Sequence, residues 1–105
     1  MFEANQNDAF NVSISNADNQ IVVFLNGNRV YDRTTDGDPP LNEDINLTGQ
    51  LARGRNVLLV VGINWGGPAH YRGKVLLNGR DVAEFDHHGG GYGLGWHTSV
   101  EVQVN

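Results

Sequence analysis

The sequence predicts an all-β protein, built as an antiparallel sandwich of about eight strands. Apolar and polar residues alternate over short stretches such as residues 10–15, which is the period-two pattern of a half-buried strand. Two Asn-Gly pairs, Asn26-Gly27 and Asn78-Gly79, stand between such stretches and suit tight hairpin turns. No segment keeps a period of 3.6 residues over a useful length, so helices are not expected.

The individual strands follow from this alternation in chain order. The most apolar stretch runs from Val57 to Val61, five consecutive aliphatic residues of which three are valine. Such a run is too short and too rich in β-branched residues for a helix, and it predicts a central strand covered on both faces. The predicted strands cover residues 10–15, 20–25, 29–33, 41–48, 57–63, 71–77, 81–86 and 96–104.

One stretch, residues 21–64, resembles a known family. Its pattern is an Asn-Gly hairpin followed by valine, an Asp-Ile strand, and then leucine, glycine and asparagine leading into an apolar strand. The matching positions are Asn26, Gly27, Val30, Asp44, Ile45, Leu51, Gly54, Asn56, Leu58 and Val60. They resemble the jelly-roll sugar-binding domain of β-galactosidase-type glycoside hydrolases and the wider galactose-binding-like sandwiches, although Asn46 stands where the family usually has threonine. The resemblance implies a jelly-roll fold rather than catalysis, because those hydrolases carry their chemistry in a separate barrel that this chain lacks.

Length and composition exclude several classes of protein. A chain of 105 residues forms one domain. Cysteine is absent, which excludes disulfides and thiolate sites, and no apolar run is long enough for a membrane span. The net charge of −5 argues against nucleic acid as a partner. The N-terminal residues lack the basic start and apolar core of a signal peptide, so the expected location is the cytoplasm, with export by another route left open.

The order of the strands predicts where a ligand would bind. If successive strands run antiparallel, the connections fall alternately at the two ends of the sandwich. One end receives the Asn-Gly hairpins and the turn at residues 49–56, and the other receives residues 16–19, 34–40, 64–70 and 87–95. Long irregular loops carry function more often than tight turns do, so a ligand site is expected at the second end.

The side chains gathered at that end suit a sugar. An aromatic ring can stack on the flat apolar face of a pyranose, while short polar side chains bond its hydroxyls. The sequence therefore predicts a non-enzymatic carbohydrate-binding protein, either a lectin or a carbohydrate-binding module. The predicted ligand-binding residues are Asp36, Asp38, Trp65, His70, Tyr71, Tyr92 and Trp96. Core packing is the competing interpretation for Trp65 and Trp96, whereas Tyr92 stands among glycines and is the preferred stacking residue.

The alternative is a protein-interaction or assembly domain with no small-molecule ligand. Polar outward residues on the terminal strands would leave sheet edges free to pair with another protein, including a second copy of this chain. Catalysis is not expected, because Ser13, Ser15 and Ser99 occupy outward strand positions without the context of an activated nucleophile. No pair of carboxylates is singled out for glycoside hydrolysis either.

The spacing of the histidines does not match a metal site. No other cofactor is expected either. His87 and His88 are adjacent, so in an extended chain they point to opposite faces and cannot share an ion. The His-x-His and His-Glu-x-x-His spacings are both absent. Calcium is the cation left open, through Asp36 and Asp38 with Glu43 or Asp44, against the simpler interpretation of a solvated acidic loop.

Overall fold

The computed structural model of the chain describes residues 2–35, 41–90 and 93–105. Within these ranges the chain forms nine strands, and no helix that could cross a membrane is found. The strands are β1 (Phe2–Ala4), β2 (Phe10–Asn16), β3 (Asn19–Leu25), β4 (Asn28–Thr35), β5 (Glu43–Asn46), β6 (Gly54–Asn64), β7 (Pro68–Leu77), β8 (Arg80–Gly90) and β9 (Gly93–Val104).

The strands form two sheets that pack face to face. The order is β1-β9-β6-β3-β4 in the five-stranded sheet and β5-β2-β7-β8 in the four-stranded sheet. Neighbouring strands are antiparallel except for β1, which runs parallel to the end of β9. The predicted all-β antiparallel sandwich is confirmed. The short strand β1 was not predicted, because three residues are too few to show an alternation.

The core lies between the two sheets and is built from alternate residues of each strand. On β2, Phe10, Val12 and Ile14 are buried, whereas Asn11 and Ser13 face outward, as the period-two pattern predicts. Full burial of one large apolar side chain contributes roughly 1.5–3 kcal/mol to folding. The apolar side chains buried at alternate strand positions therefore hold the two sheets together.

Strand β6 differs from its predicted environment. Leu58 and Val60 are buried between the sheets, but Val57, Leu59 and Val61 are only half-buried on the outer surface. The prediction that this strand is covered on both faces is therefore wrong for the described chain. Only the inner face of β6 meets the second sheet.

The strand registers place the connections at two ends of the sandwich. Asn19 pairs with Thr35, Asn64 pairs with Gly93, and Pro68 pairs with Gly90. The β2–β3, β4–β5, β6–β7 and β8–β9 connections therefore leave from one end, which we call the wide pole. The two Asn-Gly hairpins and the segment between β5 and β6 lie at the opposite end, the tight pole. This is the distribution that the order of the strands predicted.

The wide-pole connections are shorter than predicted. Residues 87–95 were predicted as a loop, but β8 continues to Gly90 and β9 begins at Gly93. Pairing with β7 and β6 holds these glycine-rich segments in extended form despite their low intrinsic preference for strands. His87 and His88 therefore lie on a strand, where each side chain has a defined face.

The tight pole is organised by one buried amide. The side chain of Asn56 is 0 % exposed. Its Nδ2 donates to the carbonyl oxygens of Ala52 at 2.8 Å, Gly54 at 3.2 Å and Val102 at 3.4 Å. Its Oδ1 accepts from the Ala52 amide and from Asn26 Nδ2, both at 2.8 Å. Asn56 thus ties the turn before β6 to β9 and to the β3–β4 hairpin.

Candidate functional site

The predicted ligand-binding residues have different environments in the structure. Asp36, Asp38 and Tyr92 lie outside the described residues. The other four lie towards the wide pole, but they do not share one surface. Trp65 is exposed, His70 and Trp96 are half-buried, and Tyr71 is wholly buried.

Trp65 stands on a short turn with a well-fixed backbone. Its amide donates to Asn19 Oδ1 at 2.7 Å. The buried side chain of Asn64 braces the same turn, since its Nδ2 donates to the Gly67 carbonyl at 2.9 Å and its Oδ1 accepts from the Gly66 amide at 3.3 Å. The residue Trp65 itself is 56 % exposed, and it is the one exposed large apolar residue in the described ranges. The turn therefore presents an indole ring to solvent from a braced backbone.

Tyr71 and Trp96 belong to a stack of rings between the sheets. The Tyr71 and Trp96 ring centroids are 5.8 Å apart with planes inclined by 9°, and His87 stacks on Trp96 at 5.8 Å and 13°. Phe85 lies 5.2 Å from Trp96. The rings come from β7 and β8 in one sheet and from β9 in the other, so the stack packs the two sheets together.

The expected role of Tyr71 as a ligand contact does not fit its burial. Its ring lies against Gly62, where a Cβ atom would come within 2.5 Å of Tyr71 Cζ. Burial raises the pKa of the Tyr71 phenol, and the charge of Asp18 raises it further. Tyr71 is 0 % exposed because the missing side chain of Gly62 opens the space that its ring fills. It supports the fold and has no surface to offer a ligand.

A concave surface lies instead on the outer face of the four-stranded sheet. It is a shallow trough of about 650 Å³. We call it the polar trough, and it is lined by Ser13, Ser15, Asn16, Arg72, Gly73, Lys74, Glu84, Phe85 and Asp86. A smaller hollow of about 360 Å³ shares Ser13 and Lys74 with it and continues the surface towards the tight pole, with Asp44 among its lining residues.

Charges of both signs face each other across the polar trough, with two cations on β7 and two acids on β8. Lys74 Nζ lies 3.6 Å from Asp81 Oδ2, and Arg72 Nε lies 4.0 Å from Asp86 Oδ2. These side chains are substantially solvated, so the pairs contribute little to stability. They remain available as hydrogen-bonding groups. The trough therefore offers donors and acceptors side by side, on a surface that is more polar than apolar.

Three ionisable side chains meet at the wide-pole end of the same face. His70 Nε2 lies 2.9 Å and His88 Nε2 lies 3.4 Å from the same atom, Asp86 Oδ1. The two imidazole rings stack with centroids 3.9 Å apart. The hydrogen bond with His70 lowers the pKa of Asp86, and the charges of His70, His88 and Arg72 add to this effect against the opposing desolvation. We call His70, Asp86 and His88 the histidine cluster.

The histidine cluster was not predicted from the sequence, although part of its signal was present. Asp86 and His88 are two residues apart, so they share a face of any strand that contains both. His70 joins them because it is the direct cross-strand partner of His88. That register cannot be read from sequence spacing alone. The prediction that His87 and His88 point to opposite faces is confirmed, since His87 stacks inside and His88 lies outside.

Comparison with known proteins adds no further assignment. No family model matches the chain, and no curated protein or solved structure does. The geometry described above is therefore the basis for proposing a function.

Proposed function

We propose that the chain is a non-catalytic carbohydrate-binding protein whose ligand lies along the polar trough. The observation that carries the proposal is the trough itself, a shallow concave surface of about 650 Å³ whose lining is mostly hydrogen-bonding side chains, with Gly73 and Phe85 as the exceptions. Sites for drug-like ligands have comparable volumes but are mostly apolar and enclosed. A shallow polar surface instead favours a ligand that is itself covered with hydroxyl groups.

The side chains match the hydrogen-bonding capacity of a sugar. A hydroxyl group both donates and accepts. Lys74 and Arg72 can only donate, the carboxylates of Glu84 and Asp86 can only accept, and Ser13 can do both. Groups of all three kinds alternate over neighbouring strands, so adjacent hydroxyls of one sugar ring can each find a partner. The resemblance of residues 21–64 to galactose-binding-like sandwiches supports the same class of ligand, by analogy of fold alone.

Trp65 supplies the stacking surface in this proposal. Asn16 lines the wide-pole end of the trough, and Asn19, three residues later, accepts the hydrogen bond that fixes Trp65. One short connection thus links the trough to the exposed indole. The proposal places the apolar side of a sugar, bound at the wide-pole end of the trough, against this ring.

The test is binding to a panel of immobilised oligosaccharides, followed by titration of each positive sugar and detection by nuclear magnetic resonance. Trp65→Ala is expected to weaken binding by about 2- to 10-fold, the range for loss of an aromatic contact, whereas Trp65→Phe retains part of it. Glu84→Ala, within the trough, should weaken binding as well. Glu3→Ala is the matched control, because Glu3 is an exposed acid on β1 in the other sheet.

Two results would overturn this function. One is a failure of every sugar on the panel to bind. The other is a sugar that binds equally well to the wild type, to Trp65→Ala and to Glu84→Ala, because that sugar would occupy a different surface.

A second candidate function, assembly, rests on the outer face of the five-stranded sheet. Direct cross-strand pairs there are apolar, with Val22 opposite Val61 and Phe24 opposite Leu59. We call this surface the apolar face, and its half-buried members are Phe24, Val57, Leu59, Val61 and Ile63, which surround the buried Val22. Contiguous apolar patches bordered by polar residues mark interaction surfaces.

The charged residues that border the apolar face favour a second copy of this chain as its binding partner. The β9 side carries the Arg55–Glu101 ion pair, and the β4 side carries the Arg29–Asp32 pair at 3.5 Å. Each border thus has one cation and one anion. Two copies can meet face to face without placing like charges in opposition.

Light scattering over a range of protein concentrations tests the assembly function. Leu59→Lys should convert a dimer to a monomer, because it places a charge in the middle of the apolar face. Leu76→Lys is the control, since Leu76 is a half-buried outward leucine on the other sheet. A wild-type protein that stays monomeric at every concentration would exclude this second function without touching the first.

A further inference from the structure

We propose that the histidine cluster binds a divalent transition-metal ion, with His70, Asp86 and His88 as its ligands. The site lies on the outer face of β7 and β8, where it shares Asp86 with the polar trough, and it needs no sugar to form. Its ligands come from two adjacent strands at paired positions, so the sheet itself sets their spacing.

The distances already approach those of a coordination sphere. Zinc binds imidazole nitrogen and carboxylate oxygen at about 2.0–2.2 Å, which puts two ligand atoms of a tetrahedral site roughly 3.4 Å apart. His88 Nε2 and Asp86 Oδ1 are 3.4 Å apart, and His70 Nε2 and Asp86 Oδ1 are 2.9 Å apart. One ligand atom from each of the three residues lies within 4.8 Å of the other two. A modest opening of the stacked imidazole rings would admit an ion, and the His88 side chain is free to turn because it is 72 % exposed.

Neighbouring groups leave one carboxylate oxygen for the ion. Arg72 Nε approaches Oδ2 of Asp86 at 4.0 Å, whereas both histidines converge on Oδ1. Arg72 therefore lies nearest the carboxylate oxygen that the ion would not use. The ion would replace the imidazole protons that now face Oδ1, with each proton moved to the other ring nitrogen or released to solvent.

The ligand set selects the class of metal. Two imidazole nitrogens and one carboxylate oxygen suit Zn²⁺, Ni²⁺ and Cu²⁺, whereas Ca²⁺ and Mg²⁺ prefer oxygen ligands alone. Three protein ligands leave the remaining positions to water. The ion would also link the edge strand β8 to β7, so its binding is expected to stabilise the fold.

Calorimetric titration of protein without a histidine tag, with ZnCl₂ and no sugar present, tests the proposal. We expect one ion per chain. His70→Ala and His88→Ala should each weaken binding by at least about 10-fold. His97→Ala is the matched control, because His97 is an exposed histidine on β9, in the other sheet, and should leave binding unchanged. Circular dichroism of each variant confirms that its fold is intact.

A second measurement is independent of the heat of binding. Zinc should raise the thermal unfolding midpoint of the wild type and of His97→Ala, but not that of the His70→Ala/His88→Ala double variant. The imidazole proton resonances of His70 and His88 should shift on titration, while those of His97 stay in place. Saturable binding that the double variant retains in full, or no binding of Zn²⁺, Ni²⁺ or Cu²⁺ by the wild type, would overturn the site.

Discussion

Replacing Asn56 by aspartate is expected to destabilise the protein strongly while hardly changing its shape. The substitution exchanges the Nδ2 donor for a second oxygen. That oxygen would face the carbonyl groups of Ala52, Gly54 and Val102, which now lie 2.8, 3.2 and 3.4 Å from the nitrogen. The contacts donated by the nitrogen are lost, and the new aspartate oxygen is repelled by the three carbonyl oxygens around it.

The size of the effect follows from these contacts. The Nδ2 group carries only two hydrogens, so its three contacts amount to two full hydrogen bonds, which contribute about 2 kcal/mol at about 1 kcal/mol each. At neutral pH a buried carboxylate adds the cost of desolvation, and we expect a total loss of about 4–5 kcal/mol. Such a loss is a large fraction of the roughly 5–15 kcal/mol that stabilises a typical domain.

The pH dependence of the variant has a definite sign. Burial among carbonyl oxygens would raise the pKa of the new aspartate, so the folded state would bind its proton more tightly than the unfolded state. Acidification through that range should therefore restore part of the lost stability. The wild type has no carboxyl group at this position and should lack this contribution.

Urea unfolding followed by tryptophan fluorescence measures these effects. Asn26→Gly is the control, since glycine tolerates the positive φ of 52° at this turn and the change removes only the amide contacts to Asn56 and Val57. We expect the control to lose about 1–2 kcal/mol. If Asn56→Asp stayed within about 0.5 kcal/mol of the wild type, the network would not organise the tight pole.

Two further predictions concern the ring stack. Gly62→Ala should lower the free energy of unfolding by about 1–3 kcal/mol, because the new methyl group would overlap the Tyr71 ring. An unchanged urea midpoint would contradict the close packing of Tyr71 against Gly62. Tyr71→Phe should cost no stability, because the buried hydroxyl has no hydrogen-bond partner within the described residues. Burial raises the pKa of Tyr71, so the unfolded chain releases this proton first and stability should fall as the pH rises above about 10. That fall should be smaller in Tyr71→Phe, and equal pH profiles of the two proteins would refute the assignment.

The strands were predictable because alternation is a local property of the sequence. Residues 10–15 carry their pattern wherever the chain places them, and the Asn-Gly pairs set the hairpins. Strand ends were predicted less well. Residues 87–90 are extended because β7 pairs with them, and their own composition favours a loop.

The burial of Tyr71 could have been predicted from the same alternation. In the strand at residues 71–77, Tyr71 shares its face with Val75 and Leu77, which are plainly core residues. The prediction followed instead the position of Tyr71 beside a loop. The half-exposed outer face of β6 could not be predicted from alternation. A continuous apolar run does not indicate whether one or both faces of the strand are covered by the rest of the chain.

The surfaces that carry the proposals depend on contacts between strands far apart in the sequence. The polar trough joins β2 to β7 and β8, and the histidine cluster joins β7 to β8. The residue types were visible in the sequence, but their partners depend on register. A single-residue shift in register would turn one set of side chains to the opposite face.

The most direct test of the carbohydrate proposal is a chemical-shift map of the ¹⁵N-labelled protein titrated with the sugar that binds best on the panel. The proposal predicts perturbed signals from Ser13, Lys74 and Glu84 on the outer face of the four-stranded sheet, together with the indole of Trp65. Unchanged spectra with every sugar, or perturbations confined to the apolar face, would contradict it.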